Sequence, residues 1–209
     1  LIGSGSGRFR YNSDETISNY STAISSGNYA IYRERPAVSV TPSSSMITYG
    51  DATPTISASG LQNGDVLTAS IDDESYTDHG GGTSYLDVKG TVDGNGDFQV
   101  QSYSISSNLG ALGYNVSTGS IQVDQKEVSL TATKIYDGTN VLDGDEVTVG
   151  NLVTNETIGY SGARVYNKHV EAVASQRYIS AITLTNGTLD DDATVATKAQ
   201  NYILPTLNR

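Results

Sequence analysis

The chain has 209 residues, a length typical of one large domain or two small ones at about 100–200 residues per domain. Its formal net charge of -11 excludes most nucleic-acid partners, whose binding depends on neutralised phosphate, and it opposes binding to an anionic membrane surface. The lack of Cys excludes disulfides, thiolate zinc sites and thiol nucleophiles. No stretch approaches the roughly 20 apolar residues that span a bilayer, so we expect no membrane insertion.

The N-terminal part differs from the rest of the chain. Residues 1–5 lack the basic and apolar regions of a signal peptide, and we expect the chain to be an excised segment of a longer protein. Residues 1–35 combine a Gly/Ser-rich opening with two runs that mix apolar, aromatic and basic residues, at 8–11 and 28–33. These runs predict a few strands that end an upstream module or lead into the next one.

From residue 36 onward, apolar and polar residues alternate in short runs, a pattern typical of half-buried strands. The runs lie at 38–40, 67–71, 120–123, 128–132 and 182–184. Between Val100 and Tyr103 the apolar residues change phase, as a β-bulge or a strand that changes sheets requires. With 22 Gly and 14 Tyr, the composition favours strands and turns, and we expect almost no helix. The predicted fold class is all-β, with two tandem Ig-like antiparallel β-sandwich modules after a short strand-rich N-terminal segment.

An internal repeat divides the chain. The run at 38–41 recurs at 128–131, which is 90 residues later. Three further echoes follow in the same order: Tyr49 with Tyr136, residues 63–66 with 143–147, and Tyr114 with Tyr202. We therefore predict one module over 36–124 and a second over 125–209, with a stiff junction because residues 123–128 contain no Gly or Pro.

The two motif tyrosines, Tyr49 and Tyr136, each come directly before a residue pair suited to a tight turn, Gly-Asp or Asp-Gly. A half-buried tyrosine with a hydrogen-bonded hydroxyl is common in β-sandwiches. We therefore expect each ring to cap its own module rather than to contact a ligand.

The first module resembles the "mostly bacterial Ig-like" (MBG) domain through residues 47–54 and 61–65. The motif residues are Tyr49, Gly50, Asp51, Gly64 and Asp65. This module departs from the family by a Gly-rich insertion at 79–82. The resemblance implies a structural role for the motif residues.

The second module resembles the YDG domain of large bacterial surface proteins, through residues 134–139, 144–145, 166–170 and 201–202. The motif residues are Tyr136, Asp137, Gly138, Thr139, Gly144 and Asp145. Glu171 stands where the family usually has Gly. Here too the resemblance implies a structural role for the motif.

Residues 29–36 are similar to the segment that leads into such arrays in filamentous-haemagglutinin-like exoproteins of two-partner secretion systems. The resemblance implies secretion to the outer surface of a Gram-negative bacterium, within an adhesin that acts in host-cell attachment, biofilm or virulence. It implies no catalysis. We expect no cofactor, with calcium left open. The implied partners are neighbouring modules of the same exoprotein, in a monomeric segment, with a host receptor or polysaccharide left open.

One loop has oxygen-bearing side chains at alternate positions, as the start of a calcium-binding loop does: Asp93, Asn95 and Asp97. No Glu follows at the distance that a full EF-hand needs, and the same residues suit a plain hairpin turn. The acidic clusters at 72–74 and 190–192 hold calcium or lie in solvated loops. Both interpretations stay open, and a solvated turn is favoured over calcium in each case.

Other chemistry is weakly indicated. His79 and His169 lie outside any nucleophile or metalloprotease motif, and His79 sits in a Gly-rich loop that we expect to hold it poorly. Four Asn-x-Ser/Thr sequons, at Asn19, Asn115, Asn155 and Asn186, allow glycosylation but also arise by chance in this composition. Lys126, Lys134 and Lys168 allow a Lys–Asn isopeptide crosslink, for which the sequence gives no geometry.

The favoured function is a non-catalytic stalk or spacer, with interaction modules, in a secreted adhesin. The alternative makes the modules themselves a carbohydrate-binding unit, assisted by calcium or by tyrosine stacking. An enzyme is the least favoured hypothesis.

Overall fold

A computed structural model describes residues 2–13, 17–169 and 177–207. It confirms the all-β class, because strands dominate and the described residues contain a single short α-helix. The strands are β1 Phe9–Arg10, β2 Ala30–Ile31, β3 Ala37–Pro42, β4 Met46–Thr48, β5 Ile56–Ser59, β6 Ala69–Ile71, β7 Tyr76–Asp78, β8 Ser84–Leu86, β9 Gly90–Val92, β10 Phe98–Val100, β11 Ser102–Ser107, β12 Asn115–Thr118, β13 Ser120–Asp124, β14 Lys126–Glu127, β15 Ser129–Ala132, β16 Val147–Gly150, β17 Gly159–Val165, β18 Ile179–Thr185, β19 Gly187–Thr188, β20 Ala196–Thr197 and β21 Tyr202–Ile203. The α-helix is α1 Leu109–Leu112, and 3-10 turns lie at Gly144–Glu146 and Ala199–Asn201.

The predicted phase change near residue 101 is a strand that changes sheets. β10 forms a hairpin with β9, whereas β11 pairs with β13 and β6. The alternating runs fall in β3, β6, β13, β15 and β18, although β6 begins only at Ala69. Glu171, where the sequence departs from the YDG pattern, lies outside the described residues.

The residues group into two compact units. Unit 1 comprises Leu1–Ile47, Thr53–Glu74 and Gln101–Gln122, and unit 2 comprises Thr48–Ala52, Ser75–Val100 and Val123–Arg209. Residues 1–35 therefore belong to unit 1. The module boundaries at 36–124 and 125–209 stay a prediction, because they do not coincide with the compact units. Residues 48–52 and 75–100 lie within the predicted first module but belong to unit 2.

Unit 1 contains two main sheets, in the strand orders β12-β3-β5 and β4-β13-β11-β6. In the first sheet β3 is central: it pairs in parallel with β12 and antiparallel with β5. Burial alternates along β3, where Val38 and Val40 are buried, as period-two strands with one apolar face require. In the second sheet the buried residues Tyr103 and Ile121 lie opposite each other. Both sheets thus bury one apolar face.

Unit 2 is built from strand pairs. β14 pairs in parallel with β21, β15 antiparallel with β16, and β17 antiparallel with β18. The β17–β18 register shifts between Ser161 and Arg164, which marks a β-bulge. One core cluster of the unit consists of Leu142, Val147, Ala163 and Ile182. Three small hairpins, β7–β8, β9–β10 and β19–β20, complete the unit.

The two units repeat one arrangement of strands. In each, an opening stretch (β3, or β14 followed by β15) pairs antiparallel with the next main strand (β5 or β16) and in parallel with the closing strand (β12 or β21). An antiparallel pair, β6–β11 or β17–β18, lies between them in sequence. The strands β5 and β16 are each followed directly by a residue of positive φ, Gly60 at 91° and Asn151 at 59°.

Candidate functional site

Unit 1 contains a buried cluster of two tyrosines and one carboxylate. The Tyr11 and Tyr114 hydroxyls both donate to Asp65 Oδ2, at 2.6 and 2.8 Å. The backbone N–H of Gln62 donates to the Tyr114 hydroxyl at 3.0 Å. The two rings pack with centroids 4.6 Å apart. The cluster therefore connects three segments that are distant in sequence.

Unit 2 contains a cluster of the same composition. The Tyr49 hydroxyl donates to Glu156 Oε1 at 2.6 Å, and the Tyr202 hydroxyl donates to Glu156 Oε2 at 2.5 Å. The backbone N–H of Val153 donates to the Tyr202 hydroxyl at 3.0 Å. The rings of Tyr49 and Tyr202 meet edge to face, with centroids 5.4 Å apart.

The clusters match in three parts: the carboxylate, the turn that holds it and the closing tyrosine. In each, the carboxylate follows the backbone donor by three residues, and its own N–H closes a turn onto that donor's carbonyl, from Asp65 to Gln62 or from Glu156 to Val153. The closing tyrosine, Tyr114 or Tyr202, lies directly before or at the start of the closing strand. Each cluster thus ties the closing strand to the turn after β5 or β16.

The environment keeps these tyrosines protonated. Burial is the largest cause that raises the pKa of Tyr11, Tyr49, Tyr114 and Tyr202 above the ordinary value. The neighbouring carboxylate raises the pKa further, because it accepts a hydrogen bond from the neutral hydroxyl and repels a phenolate. These hydroxyls therefore remain hydrogen-bond donors beyond the pH at which an ordinary tyrosine ionises, which suits a structural lock.

His79 belongs to the unit 2 cluster. Its Nε2 lies 2.8 Å from Glu156 Oε1, and its ring meets Tyr85 edge to face at 4.9 Å. The expectation that the Gly-rich loop holds this side chain poorly is therefore wrong, since the carboxylate and the aromatic ring fix it. His169, in contrast, is exposed.

A second buried carboxylate of unit 2, Asp87, accepts hydrogen bonds from four side chains: Ser75, Thr77, Lys198 and Asn201. Burial alone raises the pKa of Asp87, but these donors, led by Lys198, bring it below the ordinary value. The amide oxygen of Asn201 also accepts the backbone N–H of Val88 at 2.8 Å. Asn201, directly before the closing tyrosine, thereby anchors the end of the unit.

The MBG-like motif residues form the clusters only in part. Tyr49 and Asp65 are cluster members, and Gly50 and Gly64 have positive φ as their turns require. Asp51 instead accepts the N–H of Thr48 at 2.9 Å, which closes the turn that presents Tyr49.

The YDG-like motif forms a local turn. Asp137 accepts the N–H of Thr139 at 2.8 Å and the Lys134 ammonium at 3.0 Å, which together lower the pKa of Asp137 to about 2. Gly138 has the positive φ, 82°, that the Asp-Gly turn predicts. The ring of Tyr136 does not cap the unit, contrary to expectation: it is 57% exposed.

The repeat alignment at the second acidic motif was wrong in one respect. Gly144 and Asp145 lie in an exposed 3-10 turn, whereas the counterpart of Asp65 is Glu156. The physical reason is the position of the acid. The cluster needs a carboxylate three residues after the residue whose backbone N–H donates to the closing tyrosine, and Asp145 does not occupy that position. The signal in the sequence was the 91-residue spacing of Leu61 and Leu152, each four residues before the cluster acid.

The candidate calcium loop is a closed hairpin turn between β9 and β10. Asp93 Oδ1 accepts the N–H groups of Asn95 and Asp97, both at 2.9 Å, and Oδ2 accepts the Gln99 amide at 3.2 Å. These hydrogen bonds, first that from Asp97, lower the pKa of Asp93. Within residues 2–13, 17–169 and 177–207, no group of three or more His, Cys, Asp or Glu side chains is arranged to hold a metal ion.

All four sequon asparagines are exposed. Three of them use their side-chain amides: Asn19 donates to the carbonyl of Asn12, Asn155 donates to Asp191, and Asn186 accepts the N–H of Ala199. Glycosylation at these positions stays a prediction. Of the lysines considered for a crosslink, Lys134 is paired with Asp137 and Glu146.

Comparison of the chain with protein-family models, with curated proteins and with solved structures finds no match. In the part of the chain that the structure describes, no helix is long and apolar enough to cross a membrane.

Proposed function

We propose that the chain is a pair of non-catalytic, Ig-like β-sandwich modules, of the MBG and YDG types, from the stalk of a large secreted bacterial adhesin. The observation that carries the proposal is the parallel pairing of the opening and closing strands in each unit. β3 pairs with β12 from Asn115↔Ala37 onward, and β14 pairs with β21 at Lys126↔Tyr202.

This pairing suits a module that carries tension. When two parallel strands are pulled apart from the start of one and the end of the other, all the hydrogen bonds between them are loaded together. In an antiparallel pair pulled from one end, the bonds are loaded one after another. A module held by its first and last strands therefore resists extension best when these strands are parallel.

The tyrosine–carboxylate clusters support the same proposal. In unit 1 the cluster fixes Tyr114, directly before β12, and in unit 2 it fixes Tyr202, the first residue of β21. Each lock thus holds the closing strand at its entry into the parallel pair. Asp65, Asp87 and Glu156, the carboxylates of lowest exposure, are all engaged by structural donors in these networks.

Single-molecule pulling tests the proposal. Because the chain contains no Cys, cysteine handles can be placed uniquely. Handles at Ala37→Cys and Thr118→Cys pull the parallel β3–β12 pair in shear, so that its hydrogen bonds are loaded together. Handles at Ala37→Cys and Ser59→Cys pull the antiparallel β3–β5 pair apart from one end, so that its hydrogen bonds are loaded one after another. All three positions are exposed, so the variants are matched. A stalk module should unfold at clearly higher force in the shear geometry, and equal forces would contradict a tension-bearing role.

The carbohydrate-binding alternative is tested by thermal unfolding with calcium and with chelator, followed by a glycan array. Calcium at the Asp93 loop would have to replace the three hydrogen bonds that this carboxylate already accepts. We expect no calcium-dependent shift and no selective glycan binding. A shift that the Asp93→Ala variant abolishes, together with selective binding, would favour the lectin.

A further inference from the structure

Unit 2 brings an amine, a carboxylate and a carboxamide together in one hydrogen-bonded group. Lys198 Nζ donates to Asp87 Oδ2, and the side-chain amide of Asn201 donates to Asp87 Oδ1 at 2.8 Å. Asp87 is 1% exposed and Asn201 is 0% exposed. The side chain of Lys198 is 35% exposed and reaches the carboxylate from the surface. One buried carboxylate therefore contacts both an amine and an amide.

The backbone places Lys198 and Asn201 side by side. Lys198 directly precedes the 3-10 turn Ala199–Asn201, and the N–H of Asn201 closes this turn onto the carbonyl of Lys198 at 3.0 Å. Side chains three residues apart lie above one another on a 3-10 turn. The two side chains therefore leave the turn on the same side and converge on the two oxygens of Asp87.

The hydrogen bonds of Asn201 orient and polarise its carboxamide. The backbone N–H of Val88 can only donate, so the atom 2.8 Å from it is the amide oxygen, and the amide nitrogen faces Asp87. A donor on this oxygen stabilises the negative charge that develops there when a nucleophile attacks Cγ. The amide nitrogen already contacts the carboxylate that can bring it a proton as it leaves.

Asp87 itself is a poor target for the amine. Burial alone would raise the pKa of Asp87, but its hydrogen-bond donors, led by Lys198, hold the pKa below the ordinary value. Asp87 therefore stays a carboxylate, which an amine does not attack, whereas the carboxamide of Asn201 is neutral. The carboxylate is placed to move protons between the two nitrogen atoms that it contacts.

We propose that Lys198 and Asn201 form a side-chain isopeptide bond, with Asp87 as the acid–base group. Asp87 takes a proton from the Lys198 ammonium, and the free amine attacks Cγ of Asn201. The Nζ–Cγ bond forms and the Cγ–Nδ2 bond breaks, while a second proton passes from Nζ through Asp87 to Nδ2. The departing ammonia carries off the first proton as ammonium. No oxidant, reductant or further reactant is needed.

The bond would close the turn covalently directly before Tyr202, the first residue of β21 and a member of the unit 2 cluster. It would thus brace the segment that brings this tyrosine to Glu156. None of the lysines that the sequence indicates for a crosslink takes part. The proposal is independent of membership in an adhesin, because it depends only on three side chains and the turn that joins two of them.

Mass spectrometry of the complete chain tests the proposal. The purified protein is kept at mildly alkaline pH until its mass is constant, and we expect an intact mass lower than the calculated mass by one ammonia. Trypsin cuts after Lys and Arg but not after an acylated lysine, so residues 178–209 should appear as one peptide that is lighter by one ammonia. Two peptides of calculated mass, 178–198 and 199–209, would overturn the proposal.

Lys198→Arg is the variant that isolates the reaction. Arginine keeps a positive charge beside Asp87, but its guanidinium does not deprotonate to a nucleophile, so the calculated mass should return. Lys168→Arg is the matched control at an exposed position and should keep the loss of ammonia. Asp87→Asn should slow bond formation at least about tenfold, because it removes the proton acceptor. Circular dichroism of each variant verifies that it is folded.

Two other reactions give similar masses and would overturn the proposal. Succinimide formation at the Asn-Gly pairs 63–64, 95–96 and 186–187 also releases ammonia. That loss would persist in Lys198→Arg and would be reversed or cleaved by hydroxylamine, whereas an isopeptide bond resists this reagent. A loss of one water, with Lys198 joined to residue 87 in the fragment spectrum, would show that the amine attacks the carboxyl group of Asp87 instead.

Discussion

Burying a carboxylate is costly unless hydrogen-bond donors surround its oxygens. The two clusters differ in how many of their carboxylate oxygens accept a hydrogen bond. Both oxygens of Glu156 accept hydrogen bonds, from Tyr49, His79 and Tyr202. Asp65 receives both of its tyrosines on Oδ2, while its Oδ1 is buried without a hydrogen-bond partner among the described residues. The unit 2 cluster is therefore the better satisfied of the two.

Removing one hydroxyl from the unit 2 cluster tests its contribution to stability. Tyr49→Phe deletes a donor to the buried Glu156 and leaves Oε1 with His79 alone. We expect the free energy of unfolding to fall by about 1–3 kcal/mol, measured by urea denaturation. Tyr136→Phe is the matched control, because this ring is exposed; its change should stay within about 0.5 kcal/mol. Similar losses in both variants would contradict a lock at Tyr49.

At the scale of the elements, each unit depends on the turn that follows its second main strand. The turn in unit 1 begins at Gly60, whose φ of 91° is unfavourable for any residue with a side chain. A Cβ at this position would also lie 2.6 Å from the carbonyl oxygen of Ala37 in β3. The turn thus fixes both the end of β5 and the position of the cluster residues that follow it.

Gly60→Ala should therefore destabilise unit 1. We expect a loss of about 1–3 kcal/mol in the free energy of unfolding, because the substitution adds backbone strain and a clash with backbone that cannot rotate away. Gly94→Ala serves as control, since a Cβ there meets nothing within 4 Å and no positive φ is involved. Chemical denaturation of both variants measures the difference. An unchanged midpoint for Gly60→Ala would show that the turn adapts.

The strands themselves were the most predictable elements. Period-two alternation located β3, β13, β15 and β18, and the phase change after Val100 located the change of sheet. The cluster acid of unit 2 was missed, because the sequence displays several acids near Glu156 and only the turn geometry selects one. The burial of Tyr49 and the exposure of Tyr136 were equally hidden: both tyrosines stand before similar turns, and their surroundings come from residues far away in sequence.

At the scale of the whole molecule, acidic charge and buried tyrosine set the response to pH. The net charge is -11, and four cluster tyrosines have a pKa raised by burial and by a neighbouring carboxylate. A higher pKa in the folded state means that the folded protein binds the phenolic proton more tightly than the unfolded chain does, so protonation of these tyrosines favours folding. The contribution of each cluster tyrosine to the free energy of unfolding is fully present below the unfolded-state pKa of about 10. It is lost progressively as the pH rises from there toward the higher folded-state pKa.

Alkaline titration should therefore unfold the protein cooperatively. We expect the four cluster tyrosines to ionise only together with loss of the β circular-dichroism signal, at a pH above about 10. Tyrosinate absorbance and circular dichroism, recorded on the same samples, make the comparison. The variant Tyr49→Phe with Tyr202→Phe should lose two tyrosines from the cooperative step. Ionisation of the cluster tyrosines while the β signal stays intact would contradict their burial.

The parallel pairing of first and last strands also has a kinetic consequence. β3 and β12 meet at residues 37 and 115, and β14 and β21 meet at residues 126 and 202, so each pair closes a loop of most of its module. Such contacts are slow to form, because the entropy of closing a long loop is lost before the contact rewards it. A chain that emerges gradually from a ribosome or a pore cannot complete either unit until its closing tyrosine is free. Each unit therefore remains incompletely folded, and able to pass through a narrow channel, until its last strand is available. It forms its parallel strand pair only then.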